Sequence, residues 1–258
     1  MTGLEIFQRY CADRKRIGMD GFDVHPFDHL MRYTARDPRV EGLVTFANLK
    51  EGMEVGQIQE QVVYFRGLRR NFEWKVYGFD RPGNLQELLE SQSFVPGEKE
   101  VFMVLPLQGL ALAPKREQPV WELRVVSDEN GLGDVVAVQE QVMGQNFGWL
   151  YDQLVRRLRD DPGGLSVYCA YADGKAIGTG WTEFPSGSDF PELHGGAVVE
   201  AWRGRKVYSD LYRRRLAEAM ERGCDFLAVD AAPMSRPILE KLGFRRVCTT
   251  VPMRFRVA

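Results

Sequence analysis

The chain has 258 residues, enough for one large domain or two of ordinary size. A hydrophobic content of 44% beside 27% charged residues excludes a disordered chain and describes a globular protein that buries a real core. The net charge of −2 excludes general attraction to nucleic acid or anionic membranes, so any anion binding must be local.

The N-terminal stretch, residues 1–18, carries too many charges for a signal peptide. No apolar run approaches the roughly 20 residues that cross a bilayer. Cys11, Cys169, Cys224 and Cys248 are scattered without a C-x-x-C pair and read as buried thiols of a reducing compartment. A cytosolic setting is expected. His25 and His29, within "DVHPFDHL", would share a face if both were helical. Pro26 pushes His25 out of helical geometry, so His25 is expected to precede a helix, and no metal is expected.

Next, "GLVTFANL" reads as a strand and "VGQIQEQVVYFRGLRR" as a helix with Ile58, Val62 and Phe65 on one face. "FEWKVYGFD" is a strand, "PGNLQELLESQSF" a helix and "VPGEKEVFMVLPL" a strand. Pro114, a charged patch and Pro119 then mark a linker, dividing a first domain (residues 1–115) from a second (residues 120–258).

In the second domain "WELRVV" is a short strand. A helix with Val135, Val138 and Val142 in helical spacing follows, Asp128 standing as its N-cap. "FGWLYDQLVRRLRDD" is a second helix. "LSVYCAYADGKAIGTGWTEF" reads as a hairpin turning at Asp173-Gly174. The strand "LHGGAVVE", a basic turn and a helix come next, then the buried strand "CDFLAVDAA". A short helix with Ser235 as its cap leads to the last strands, "RRVCTTVPMRFRV". The ends of the two halves can be superposed: a strand, a proline-containing turn, a short helix closing at Phe94 or Phe244, then a strand. That suggests an internal duplication.

The basic turn is Arg203-Gly204-Arg205-Lys206, at the junction of a strand and a helix. A helix start carries unpaired N–H groups and about half a positive charge. Glycine admits close approach and the arginines add charge, which together suit a pyrophosphate. On these few residues alone, an ordinary solvated loop is an equal alternative. Along the helix, Tyr208, Tyr212, Leu216, Ala219 and Met220 form a core-facing stripe. Arg215 falls within it and should need a carboxylate partner or a route to solvent. Arg213 and Arg214 read as a solvated face.

With that context, residues from about 121 onward resemble the GNAT acetyltransferase superfamily. Its phosphate loop, Arg/Gln-x-x-Gly-x-Gly/Ala, falls on Arg203 to Tyr208. Arg203 matches; Lys206 stands where glycine is usual, and Tyr208 where glycine or alanine is usual. The resemblance implies a mixed α/β GNAT-like acyl-CoA N-acyltransferase fold, in tandem with a degenerate N-terminal copy. It implies acetyl-CoA as cosubstrate, with backbone contacts from Val198, Val199 and Glu200 to pantetheine. Arg203, Gly204, Arg205, Lys206, Val207, Tyr208 and Ser209 would meet the pyrophosphate. Lys206 puts a Cβ where the backbone should lie against phosphate, so coenzyme binding is expected to be weakened, with its ammonium as partial compensation.

Acetyl transfer needs a base, because a free alkylamine titrates near 10.4. Glu192, eleven residues before Arg203, is the first candidate, and His194 shares its strand face. Many relatives place a proton-donating tyrosine where this chain has Leu239; the oxyanion would fall to a backbone N–H near Val199. The leading reading is an N-acetyltransferase acting on a small-molecule or peptide amine, with no nucleic acid or membrane partner. A non-catalytic acyl-CoA sensor is the alternative. The acceptor and the oligomeric state are not encoded legibly.

Overall fold

The computed structural model describes residues 1–112 and 120–257. Pro114 and Pro119, the proposed linker, lie outside them. The chain starts with α1 (Gly3–Ile17), β1 (Phe22–Pro26), β2 (Met31–Ala35), β3 (Gly42–Thr45) and α2 (Glu54–Gly67). Then come β4 (Phe72–Tyr77), α3 (Leu85–Ser91), β5 (Val95–Pro96) and β6 (Glu100–Pro106). The middle holds β7 (Glu122–Val126), α4 (Glu129–Met143), α5 (Gly148–Asp160), β8 (Leu165–Ala172), β9 (Lys175–Glu183) and β10 (Glu192–Val198). A 3-10 turn at Glu200–Trp202, α6 (Val207–Glu221), β11 (Phe226–Ala231), α7 (Arg236–Lys241) and β12 (Arg245–Phe255) complete it.

Contacts gather these elements into two compact units: Met1–Val104 with Asp230–Ala258, and Leu105–Val229. In the first, strands run in the order β1-β2-β3-β4-β12-β6, with β5 also paired to β12. Only β3 and β4 are parallel neighbours there. This grouping departs from the sequence division at 115 and 120. The cause is β12, which pairs with β4 from Thr250↔Tyr77 to Phe255↔Phe72 and with β6 on its other edge. Val251, Met253 and Phe255 share one core with Ile58, Val62, Phe65, Phe72 and Trp74.

Two elements have no counterpart in the sequence reading. Helix α1 starts with a capping box: Thr2 Oγ1 accepts from the Glu5 N–H, and Glu5 Oε2 from the Thr2 N–H. The hairpin β1–β2 holds His25 and Pro26 on the edge strand, where a missing N–H is tolerated. His25 therefore does not precede a helix; it lies in β1, and His29 lies in the turn before β2.

The two segments that the suggested duplication aligns share a local geometry. Helices α3 and α7 end alike, with Ser93 (φ 71) and Gly243 (φ 95) in equivalent places. Ser93 N–H donates to Glu90 O and Phe94 N–H to Leu89 O; Gly243 N–H donates to Glu240 O and Phe244 N–H to Leu239 O. Ser235 precedes α7, but its hydroxyl donates back to Ala232 O rather than capping the helix.

The second unit has the order β7-β8-β9-β10-β11, antiparallel except for the parallel β10–β11 pair. Asp173 (φ 49) and Gly174 (φ 73) make the β8–β9 turn, both left-handed as a type I′ hairpin requires. Asp128 caps α4 through the Gly131 N–H. Val135, Leu150 and Leu154 cover one sheet region with Val167 and Cys169. Val207 and Leu211 of α6 pack with Tyr168, Ala170, Ile177 and Ala197.

Candidate active site

The site is built where β10 ends and α6 begins. Parallel pairing of β10 with β11 is confined to Glu192↔Ala228, so the later part of β10 is paired through β9. At Gly195 and Gly196 the β9–β10 register slips, between His194 and Ala197. Gly195 has φ 56, and a Cβ there would lie 1.7 Å from the Trp181 ring. The glycine pair is therefore required for the bulge. Gln139 of α4 clamps it, donating from Nε2 to Gly195 O at 2.6 Å.

After β10 the chain makes its 3-10 turn and reverses through Gly204 (φ 72) and Lys206 (φ 70). Lys206 is thus in the left-handed conformation that the glycine of the loop pattern would adopt freely, and it immediately precedes α6. No side chain caps the helix. Among the described residues, the N–H groups of Lys206, Val207, Tyr208 and Ser209 have no acceptor; the first backbone bond is Asp210 N–H to Lys206 O. Arg203 reaches back to donate from Nε to Val198 O at 3.2 Å, and Arg205 lies over the Trp202 ring at 5.0 Å. The basic turn is held by its own contacts, Arg203 on Val198 and Arg205 on Trp202, rather than being a loose loop.

Glu192 and His194 lie side by side on one face of β10, with Glu192 Oε2 3.6 Å from His194 Nε2. The imidazole stacks on Trp181 at 6.2 Å and 19°. Glu183, opposite Glu192 across the β9–β10 ladder, is held by Arg157 at 3.4 Å.

The Val199 N–H itself donates to Ile177 O at 3.0 Å, so among the amides near Val199 it is engaged within the sheet. Successive N–H groups of an extended strand point to opposite edges, which turns that of Val198 toward the β11 side. Arg215 departs from expectation. It is 1% exposed and, among the described residues, has no carboxylate partner. It donates from Nε to Leu211 O and from Nη1 to His194 O, both at 3.3 Å, and burial holds its pKa below the ordinary arginine value. Gln139, Trp181 and the bulge were missed from sequence; only the Gly-Gly pair inside a strand signalled them. Leu239 lies in the first unit, 1% exposed, with no proton to give.

In the first unit the parallel pairing runs further along the strands. Its parallel pair β3–β4 is prolonged by the Asn48↔Arg81 bridge, with Arg81 N–H donating to Ala47 O and Leu49 N–H to Arg81 O. The Asp80 carboxyl accepts from the Tyr77 N–H; burial pushes its pKa up to about 8 against the pull of the Tyr77 and Ala47 amides. Its helix α2 starts without a basic turn.

An open parallel strand pair leads into an uncapped, basic helix start in a mixed α/β sheet. Residues 135–244 match the model of the acetyltransferase (GNAT) family. That segment belongs to the GNAT acetyltransferase family, and nearly the whole chain has the mixed α/β GNAT fold. Among solved structures it is similar to a GCN5-related N-acetyltransferase from Kribbella flavida (TM-score 0.72, 11% identity, 95% of this chain and 94% of that one). A functionally unknown conserved protein from Staphylococcus epidermidis is also similar (TM-score 0.68, 13% identity, covering 95% and 98%). So is a tandem GNAT protein from the clavulanic acid biosynthesis pathway (TM-score 0.62, 11% identity, covering 97% and 88%). At these identities the likeness is one of fold. No curated protein matches the sequence. No helix among the described residues is long and apolar enough to cross a membrane.

Proposed function

We propose that the second unit is an acetyl-CoA-dependent N-acetyltransferase acting on a primary amine, with one coenzyme site per chain. The observation that carries the reading is the row of unpaired amides from Lys206 to Ser209 at the helix start that directly follows Arg203 and Arg205. Such a helix start suits a diphosphate. With the diphosphate there and the base at Glu192–His194, the thioester falls between them, at the Gly195–Val198 stretch. Val198 N–H is then the donor available to the carbonyl oxygen as it gains charge.

The Glu192–His194 pair takes the proton from the ammonium, so that the free amine attacks the thioester carbon. A positioned base of this kind contributes about 10²–10⁴-fold. The acceptor meets the Trp181 ring and the carboxylates of Glu183 and Glu192, which suits a cation. The bridged β3–β4 pair and the lack of a basic turn before α2 support a single coenzyme site per chain.

The test is calorimetric titration with coenzyme A, followed by thiol release from acetyl-CoA across a panel of small amines and N-terminal or lysine peptides. One site per chain is expected, with turnover on at least one amine. Glu192→Gln should cut kcat by about 10²-fold or more at unchanged coenzyme affinity. Two equivalent sites would contradict the reading of the first unit. Tight binding without turnover on any amine would favour the acyl-CoA sensor, to which the buried Leu239 already lends some support.

A further inference from the structure

The first unit holds a cavity of about 330 Å³ between α1 and the residues that follow β3 and β4. Where a sheet has parallel strands, ligands bind beyond the carboxyl ends of those strands, and β3–β4 is the parallel pair here. Three rings wall the cavity: Phe7 of α1 lies 6.0 Å from Phe46 and 5.3 Å from Phe79. Phe46 has φ 57, a left-handed conformation that a bulky side chain rarely adopts, and such strain gathers at ligand clamps. The exposed Gln8 and Lys15 form the rim. Asp80 also lines the cavity and is 4% exposed. Its carboxyl accepts from the Tyr77 N–H at 2.9 Å and makes no ion pair among the described residues. A buried carboxylate without a cation is costly, and burial accordingly raises the pKa of this one to about 8.

We propose that this cavity is a binding site for a small monoamine with an apolar body, its ammonium group paired with Asp80 and its body held among Phe7, Phe46 and Phe79. The rings offer negative faces to the cation and apolar surface to the body. Such a ligand supplies the counter-charge that the protein itself does not. Binding makes and breaks no covalent bond to carbon: the Asp80 proton passes to solvent, and the carboxylate is left paired with the ammonium. Every residue involved lies in the first unit, so the site stands apart from the acetyltransferase reading. The charged and titratable groups that share the cavity or bear on Asp80 are Cys11 and Lys15 of α1, Arg81 beside it and Cys248 of β12. Burial raises both thiols well above their ordinary values, so they stay protonated while Asp80 titrates.

The probe is phenethylamine, an alkylamine that titrates near the lysine value of about 10.4 and so stays charged, read by amide chemical shifts in the isotope-labelled full chain. Saturable shifts are expected at Phe46 to Asn48 and at Phe79 to Arg81. The apparent Kd should fall about tenfold from pH 6 to pH 7 and level off above pH 8, because only the ionised carboxyl pairs with the amine. Phenethyl alcohol, the neutral analogue, should bind at least about tenfold more weakly at pH 8. Asp80→Asn keeps an acceptor for the Tyr77 N–H; it should weaken amine binding about tenfold and flatten the pH profile. Should that variant fail to fold, Ala12→Trp fills the cavity from an exposed position of α1 and should abolish the same shifts. Equal binding of amine and alcohol, tighter binding of phenylpropionate, or no saturable shift in the first unit up to about 10 mM amine would overturn the inference. Shifts at Trp181 and His194 alone would assign the amine to the acceptor site of the second unit and overturn it likewise.

Discussion

Lys206 shows what a single residue can carry into a binding loop. Its φ of 70 costs a non-glycine residue about 1–2 kcal/mol. Lys206→Gly would release that strain, less about 0.4–1 kcal/mol for the freer unfolded chain. A net gain of about 0.5–1 kcal/mol is expected, read as a higher denaturant midpoint at constant slope. Coenzyme affinity should fall over the same change, because the ammonium beside the diphosphate is lost. A rise in both would mean that the ammonium contributes nothing to phosphate binding. The departure of Lys206 from the glycine pattern was legible in the sequence, since it needed only a conformational rule. The partners of Arg215 were not legible: periodicity places a side chain on a face but does not say that Gly180 and Gly196, on strands β9 and β10, have cleared a space for it.

At the scale of elements, α6 does more than present its first turn. Glu218 is 9% exposed and accepts from Ser166 Oγ at 2.6 Å, Tyr168 Oη at 2.5 Å and Arg222 Nη2 at 2.7 Å, tying α6 to β8. Burial works to raise its pKa, yet these three donors together hold it below the usual glutamate value. A carboxyl with a lowered folded pKa adds stability that is present above its unfolded pKa, about 4.3, and is lost as pH falls through the folded one. Glu218→Gln should therefore destabilise the second unit by about 1.5–3 kcal/mol at pH 7, the range for hydrogen bonds to a charged group. The gap between the thermal midpoints of variant and parent should close below about pH 4. A gap that stays constant across that range would show that shape, not charge, holds α6. Helix α4 and the Asp173-Gly174 hairpin were readable from sequence because a cap and a turn are local. The β1–β2 hairpin was not, because Pro26 was weighed as a helix boundary and an edge strand tolerates it equally well.

For the whole molecule the decisive element is the last strand. A chain read from sequence as two successive domains spends its final segment inside the sheet of the first unit, between β4 and β6. Hydrophobic alternation identifies "RRVCTTVPMRFRV" as strand but not its neighbours, since pairing across so long a stretch of chain, with Tyr77 at one edge and Val104 at the other, leaves no local trace. The energetic weight can be bounded. Val251, Met253 and Phe255 are 7%, 0% and 3% exposed, and each buried side chain of this size is worth about 1.5–3 kcal/mol. Their sum, about 4.5–9 kcal/mol, is comparable with the entire stability of an ordinary domain. Removing residues 245–258 should accordingly unfold the first unit, not merely fray its edge. Hydrogen exchange at the β4 amides Phe72 to Tyr77 would report it, with protection lost in the truncated chain and regained on adding a peptide of residues 230–258. Protected β4 amides in the truncated chain would show that the first unit stands without its C-terminal strand, and that the division at 115 and 120 describes the folding units after all.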